Sequence, residues 1–400
     1  MTRIARAPRL APALPALPLS LLRSDLEGVL TSIERASQLP ARVHFDPAIF
    51  AFEREAIFAR EWLCVGREDE IALPGAWIRA DVGGEDVIIV RGVDLALRAF
   101  HNVCSHRGAP LCQAPSGRHA AFQCPYHGWT YELSGTLREA PHTATLEGFN
   151  PEEQGLSPVR VEAWQGFLFA TLDGDNAAPP LATALGTPPD RVAHTGLRQV
   201  RLGRRAVHVV AANWKLLAEN FQESLHFAAI HPGLERLTPS ARADSVLGDG
   251  PWLGGIMDIA SGAETVSLDG DRRHRPWLPG TLPEDRRRVF DALLFPSLLL
   301  SLQPDYLLTY RLVPLAPTET QVIADIYFHP AAFTADFDPE NVYAFWDGIN
   351  AEDRAICERQ QLGIRSRGYR PGRYTSVEDG VHAFDRLVAR RYAAALKEQE

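Results

Sequence analysis

Between Phe100 and Leu133 the chain reads FHNVCSHRGAPLCQAPSGRHAAFQCPYHGWTYEL, and no other stretch constrains the fold as tightly. Cys104 and His106 form a C-x-H pair, and Cys124 and His127 form a C-x-x-H pair. Two thiols and two imidazoles therefore leave two short loops that must face each other, and such a set binds metal. Structural zinc sites of the finger type pair Cys with Cys and His with His, whereas each pair here mixes the two. A small antiparallel β unit suits the task of holding two loops in opposition. Strand-like runs at Ala76–Ala80, Asp86–Arg91 and Leu95–Phe100 supply it, punctuated by Gly83, Gly84 and Gly92, with Trp164–Leu172 as its closing strand.

Two Cys on one iron and two His on the other is the ligation of a Rieske [2Fe-2S] centre, where neutral imidazoles raise the potential above that of an all-Cys cluster. The flanks agree, with Arg107 and Gly108 after the first His and Pro125, Gly128 and Trp129 around the second. The segment resembles the Rieske domain of the non-haem iron ring-hydroxylating oxygenases, large (alpha) subunit. Respiratory-chain Rieske proteins are similar but carry an extra Cys in each ligand loop, joined as a disulfide. Ala109 and Tyr126 stand in those places, which favours the oxygenase type. Cys112 fits neither pattern and reads as a buried thiol.

Downstream, Asp173–Asp190 is rich in Pro, Gly and Ala and reads as a linker, after which strands resume at Gln199–Ala211. A helix is expected from Asn213, with Leu217, Phe221, Leu225 and Ala228 on an apolar face and Glu219, Glu223 and His226 on another. His231 follows His226 by five residues and precedes Pro232 and Gly233, so the helix should end or distort there. Near the C-terminus Phe345, Ile349, Asp353, Ile356 and Gln360 recur at helical spacing, which sets Asp353 inside an otherwise apolar stripe. A carboxylate so placed needs a partner, and a metal would relieve the cost of burying it.

The resemblance implies that His226, His231 and Asp353 ligate a mononuclear iron, with Asp353 favoured over Asp347, Glu352 or Glu358. Two His and one carboxylate form the facial triad of non-haem Fe(II) oxygenases, which leaves the opposite face of the metal open. It further implies that Glu223, three positions before the first His, bridges a Rieske His of one subunit to an iron His of its neighbour in a ring-shaped homotrimer. Many ring dioxygenases have Asp there; Glu is found in the branch acting on quaternary ammonium compounds such as carnitine and glycine betaine. Trp252, Trp277, Phe295, Tyr306 and Tyr310 offer material for an aromatic cage around a cation, with ordinary core packing as the alternative.

The fold class expected is α+β: the small β Rieske domain, then a helix-grip domain in which Ser297–Leu302, Tyr306–Val313 and Gln321–His329 are strands of a sheet around a long C-terminal helix. The domains expected are a Pro/Ala-rich tail with an N-terminal helix over 1–40, the Rieske domain over 41–172, the linker over 173–190 and the catalytic domain over 191–400. Helices are expected at Ser24–Ser37 and at Asp46–Trp62, the second capped by Asp46 with Pro47 in its first turn. A closing helix carries Phe384, Leu387, Val388 and Tyr392.

The activity implied is that of a terminal oxygenase component, which uses O2 to hydroxylate or oxidatively N-demethylate a small organic substrate. Aromatic-ring cis-dihydroxylation is the alternative within the family. A Rieske electron carrier with a non-catalytic binding domain and a zinc-stabilised module are alternatives outside it. No G-x-G-x-x-G follows a strand, so electrons should arrive from a separate protein; the resemblance implies a flavin and iron-sulfur reductase, with or without a ferredoxin. A net charge of −9 leaves no basic stripe for nucleic acid. No apolar run is long enough for a membrane span, and the Arg-bearing N-terminus is broken by Pro8, Pro12, Pro15 and Pro18, against a targeting helix. Five scattered Cys suggest a reducing compartment, and a cytoplasmic location is expected.

Overall fold

The computed structural model describes residues 23–173, 178–248 and 250–397. The Pro-rich tail over 1–22 lies outside them. The described residues form two compact units, one over Ile57–Ala184 and one that joins the segment ending at Ala56 to everything from Leu185 onward. No helix among them is long and apolar enough to cross a membrane.

The first unit is antiparallel β. Seven strands run in the spatial order Leu63–Arg67, Phe167–Thr171, Pro158–Trp164, Leu97–His101, Glu85–Arg91, Ala76–Val82 and Ser116–Arg118, and a three-stranded sheet is formed by Phe122–Gln123, Thr130–Tyr131 and Leu137–Glu139. Val87, Ile88, Ile89 and Val90 are buried without exception, as expected of a strand covered on both faces. The single strand expected over Trp164–Leu172 is instead two. Gln165 and Gly166 both take positive φ, 49° and 83°, and turn the chain into a hairpin, so Trp164 ends one strand and Phe167 opens the next.

The second unit is built on a seven-stranded antiparallel sheet in the order Arg201–Val210, Glu319–Phe328, Tyr306–Ala316, Leu298–Leu302, Arg288–Leu294, Trp252–Asp258 and Ala243–Leu247. The 25-residue helix Glu340–Ile364 lies against this sheet. Its Phe345, Trp346 and Ile349 pack into one core with Tyr306, Leu308, Ile326 and Phe328 of the strands. Each such side chain contributes roughly 1.5–3 kcal/mol through apolar surface removed from water. The fold is thus α+β, a sheet gripping a long C-terminal helix, and Asp379–Lys397 closes the chain with Phe384, Val388 and Tyr392 inside.

Three expectations about helices change. The N-terminal helix spans only Arg23–Leu30, and a turn replaces its second half. Asp46 does cap the next helix, accepting the Ala48 N–H at 2.8 Å, but regular helix stops at Glu53 and continues as a π segment over Arg54–Phe58. Residues 41–56 belong to the second unit, where Glu53 is buried against Lys215 and accepts the Trp214 indole N–H at 3.0 Å. The segment read as a linker holds a short helix, Leu181–Leu185, in its described part.

Candidate metal centres and active-site cavity

The two cluster loops are built alike. The Cys104 N–H donates to the Ala109 carbonyl and the Gly108 N–H returns to the Cys104 carbonyl. The Cys124 N–H donates to the Trp129 carbonyl and the Gly128 N–H to the Cys124 carbonyl. Gly108 and Gly128 make both turns with positive φ, 76° and 73°, a conformation costly for a residue with a Cβ. The consequence is a division of labour: Cys104 and Cys124 are buried, 2% and 3% exposed, while His106 and His127 are exposed.

The imidazole rings lie 4.7 Å apart between centroids, and His106 is stacked on Trp129 at 4.7 Å and 7°. Tyr131 Oη sits 3.1 Å from Cys104 Sγ; a thiolate there can only accept, so the phenol is the donor. Inner thiolates and outer imidazoles fit a [2Fe-2S] cluster whose His-bound iron faces outward. Cys112 is a packing residue. Burial pushes its thiol up to about 12, and Asn102 grips its backbone through both amide groups.

In the second unit the structure brings His226, His231 and Asp353 together. One ligand atom from each lies within 4.8 Å of the others, a spacing that, among the described residues, only this group of three achieves. His231 Nε2 is 2.8 Å from Asp353 Oδ1, and His226 Nε2 is 3.7 Å from it. The outer ring nitrogens are held too: His226 Nδ1 lies 2.5 Å from Glu223 Oε1 and His231 Nδ1 lies 2.7 Å from Glu352 Oε2. Carboxylates on Nδ1 fix the tautomer that presents Nε2 to a metal. Burial alone would lower the His226 pKa, but Asp353 and Glu223 outweigh it and push it up to about 9. His231 is raised by Asp353 and Glu352 against the same opposition, and the two imidazoles hold Asp353 below the ordinary carboxylate value despite its burial. The surround is thus anionic and suits a divalent cation.

The local path differs from the continuous helix expected here. Helix Trp214–Phe221, capped by Asn213, stops at Gln222, and Glu223 lies in an irregular turn. Its Oε2 accepts the backbone N–H groups of Leu225 and His226 and so starts the short helix Phe227–Ile230. Leu225 and Ala228 are exposed in consequence, and Phe227 takes the core position. This break lets the two imidazoles approach to 5.0 Å between centroids. The sequence weighs Glu352 only as a rival ligand to Asp353, because its role behind His231 depends on that imidazole arriving from another element. The available signal was its place beside Asp353.

The triad opens on a cavity of about 110 Å³ between the sheet face and the long helix. Of the five aromatics considered for a cage, only Tyr310 lines it. Trp252 donates to the Leu185 carbonyl, Trp277 packs against the guanidinium groups of Arg272 and Arg286, Phe295 against Phe384, and Tyr306 donates to the Val266 carbonyl. The aromatic lining comes instead from Phe221, Phe227, Tyr310 and Trp346. Across the floor, Asp291 is the one carboxylate on the sheet face, and burial pushes its pKa up to about 7.

Comparison with known proteins follows the same division. The Rieske [2Fe-2S] domain family matches residues 61–150, and the family described as the ring hydroxylating alpha subunit (catalytic domain) matches residues 197–394. The glycine betaine monooxygenase oxygenase subunit of Chromohalobacter salexigens is 32% identical over 397 residues, covering 92% of this chain and 88% of that protein. The carnitine monooxygenase oxygenase subunit of Acinetobacter baumannii is 31% identical over 364 residues, covering 85% and 91%. Among solved structures, the quaternary ammonium Rieske monooxygenase CntA superposes with a TM-score of 0.79 at 27% identity, covering 93% of this chain and 98% of the other.

Proposed function

Since this chain belongs to the Rieske-type ring-hydroxylating oxygenase alpha subunits, terminal oxygenase components that carry a [2Fe-2S] cluster and a mononuclear iron, we propose that it monooxygenates a small quaternary ammonium compound, hydroxylating it or removing an N-methyl group. The observation that carries the reading is the meeting of His226, His231 and Asp353 at the mouth of a cavity walled by Phe221, Phe227, Tyr310 and Trp346. Aromatic faces attract a desolvated ammonium head. Relatives named for glycine betaine and carnitine support the same class. They are monooxygenase subunits, which does not favour aromatic cis-dihydroxylation.

Family members take electrons from a reductase and use O2 with small substrates. In this chain Cys104, His106, Cys124 and His127 hold the cluster, and His226, His231 and Asp353 hold the iron, which when bound supplies oxygen activation. Glu223 keeps His226 oriented, and a carboxylate has lone pairs left for one more donor. The donor is a Rieske imidazole of a neighbouring subunit, which makes the working unit a homotrimer. The exposed His106 and His127 support that role, as they border a surface groove with Trp129, His142 and Phe149. The electron donor is a flavin and iron-sulfur reductase, with or without a ferredoxin. A cytoplasmic location agrees with five cysteines that form no disulfide.

The test is turnover by the iron-loaded enzyme with a matched reductase, NADH and O2. Glycine betaine, carnitine and choline are compared with naphthalene, following product as well as NADH. Coupled conversion of a trimethylammonium compound is expected. Oxidation of the arene to a cis-diol instead, or cluster reduction without any product, would refute the proposal.

A further inference from the structure

Asp291 has a position that the metal chemistry does not explain. It lies mid-strand on the sheet face that floors the cavity, among Met257, Val289 and Leu299. Directly opposite it on one side is Ser301, and on the other Gly255. A Cβ built on Gly255 would meet nothing nearer than the Asp244 carbonyl oxygen at 3.6 Å, so the flank of Asp291 is open space.

The hydrogen bonds here all run one way. Gln303 Nε2 donates to Ser301 Oγ at 2.8 Å, and the Ser301 hydroxyl serves Asp291. The Ser301 hydroxyl proton and one Gln303 N–H are thereby committed. Asp291 Oδ1 and Gln303 Oε1, both shielded from solvent, have no hydrogen-bond partner among the described residues. Burying an acceptor without a partner costs about 1–3 kcal/mol, and a carboxylate inside an apolar wall costs more unless a positive charge faces it. The only Lys or Arg among the cavity's lining residues is Arg354, which belongs to the helix on the other side. The wall therefore presents two bare acceptors, Asp291 Oδ1 and Gln303 Oε1, that no donor among the described residues satisfies.

We infer that Asp291, seconded by Gln303, is the subsite for the positively charged ammonium head of the substrate, and that it makes the enzyme discriminate a cation from a neutral group of the same shape. The inference rests on the quaternary ammonium reading above and adds the residue that enforces it. Tyr310 and Trp346 supply π faces at the same cavity; the carboxylate supplies full charge, which an aromatic wall alone does not. A trimethylammonium group offers no N–H, so its polarised methyl groups face the two bare acceptors. The raised pKa leaves Asp291 partly protonated near neutral pH, and an arriving cation favours the ionised form.

The test is calorimetric titration of the iron-loaded enzyme with glycine betaine, carnitine and choline. Each is paired with its carbon analogue, in which a tert-butyl group replaces the trimethylammonium group, so that the head alone loses its charge. The wild type should prefer its best cation over the analogue by at least about tenfold. Asp291→Asn should lose most of that preference while affinity for the carbon analogue of choline, which is uncharged, stays within about threefold. Asp291→Ser serves as a second neutral variant, and thermal melting and the visible spectrum establish that both are folded and loaded. A charge preference that survives in both variants overturns the inference and leaves the substrate class standing. A wild type with no preference for any cation overturns the substrate class, and the inference with it.

Discussion

Glu352 Oε2 lies 2.7 Å from His231 Nδ1, while the adjacent Asp353 reaches the other nitrogen of the same ring at 2.8 Å. Two consecutive residues of one helix thus grip a single imidazole from both ends. The ring is 1% exposed, and the two carboxylates hold its orientation. Removing Glu352, as Glu352→Ala, should lower iron affinity roughly 10–100-fold, the usual effect of losing a carboxylate behind a ligating His. Iron content after dialysis against a graded chelator reads this directly, with the cluster's visible spectrum unchanged. Full iron retention would show that Asp353 alone suffices.

Glu223 contributes its carboxylate both to His226 Nδ1 and to the backbone turn that starts the next helix. Glu223→Gln keeps an acceptor for the turn but removes the charge proposed to link subunits. After the cluster is reduced and mixed with O2 and substrate, its reoxidation should slow by roughly 10–100-fold, compared at equal iron loading. Unchanged reoxidation in stopped-flow absorbance would remove Glu223 from the electron path.

Tyr131 donates to the Cys104 sulfur across 3.1 Å inside the first unit. Hydrogen bonds to cluster sulfurs raise the potential because they favour the reduced, more negative state. Tyr131→Phe should therefore lower the midpoint potential, on the order of tens of millivolts. Spectroscopic redox titration checks the sign, and an unchanged or higher value would contradict the assignment of donor and acceptor.

Glu219 is half-buried four residues before Glu223, with its side chain 15% exposed, and contacts His44 Nε2 at 3.2 Å. Burial pushes the Glu219 carboxyl up from 4.5 to about 7, against the pull of Lys215, and pushes His44 down from 6.5 to about 4. The signs are opposite in pH. Above about 4.5 the unfolded chain ionises Glu219 while the folded one keeps the proton, so stability falls as pH rises to about 7 and then levels. Below about 6.5 the unfolded chain protonates His44 while the folded one does not, so stability falls as pH drops toward 4. Glu219→Gln cancels the first effect only. It should gain up to roughly 3 kcal/mol near pH 8 and little near pH 4.5, as measured by denaturant unfolding at both values. Equal effects at the two pH values would mean that Glu219 is ionised in the fold.

Periodicity and turn chemistry were enough to find most elements, because both are written in adjacent residues. Asp46 as a cap, the all-apolar run Val87–Val90 and the stripe Phe345, Ile349, Asp353 are all local signals. Where the reading failed, a distant or competing contact had won. The Glu223 side chain took over backbone N–H groups that a continuous helix would have used, and ended that helix early. Gln165 and Gly166 split an apolar run that looked like one strand. Trp252, Trp277, Phe295 and Tyr306 were plausible around a cation by type, and partners distant in sequence or outside the cavity took them instead.

By itself the order of residues determined the chemistry available: which side chains can ligate iron, in which pairs, and on which kinds of turn. Ligand type and spacing within a loop are properties of a few neighbouring residues, so they survive without knowledge of the rest. Only the tertiary structure decided what stands behind and across from those ligands. Glu352 meets His231 from 121 residues away, and Asp291 faces the cavity because its strand lies between those of Gly255 and Ser301. Such encounters depend on sheet register and helix packing, in which a shift of one residue would turn the carboxylate to the opposite face.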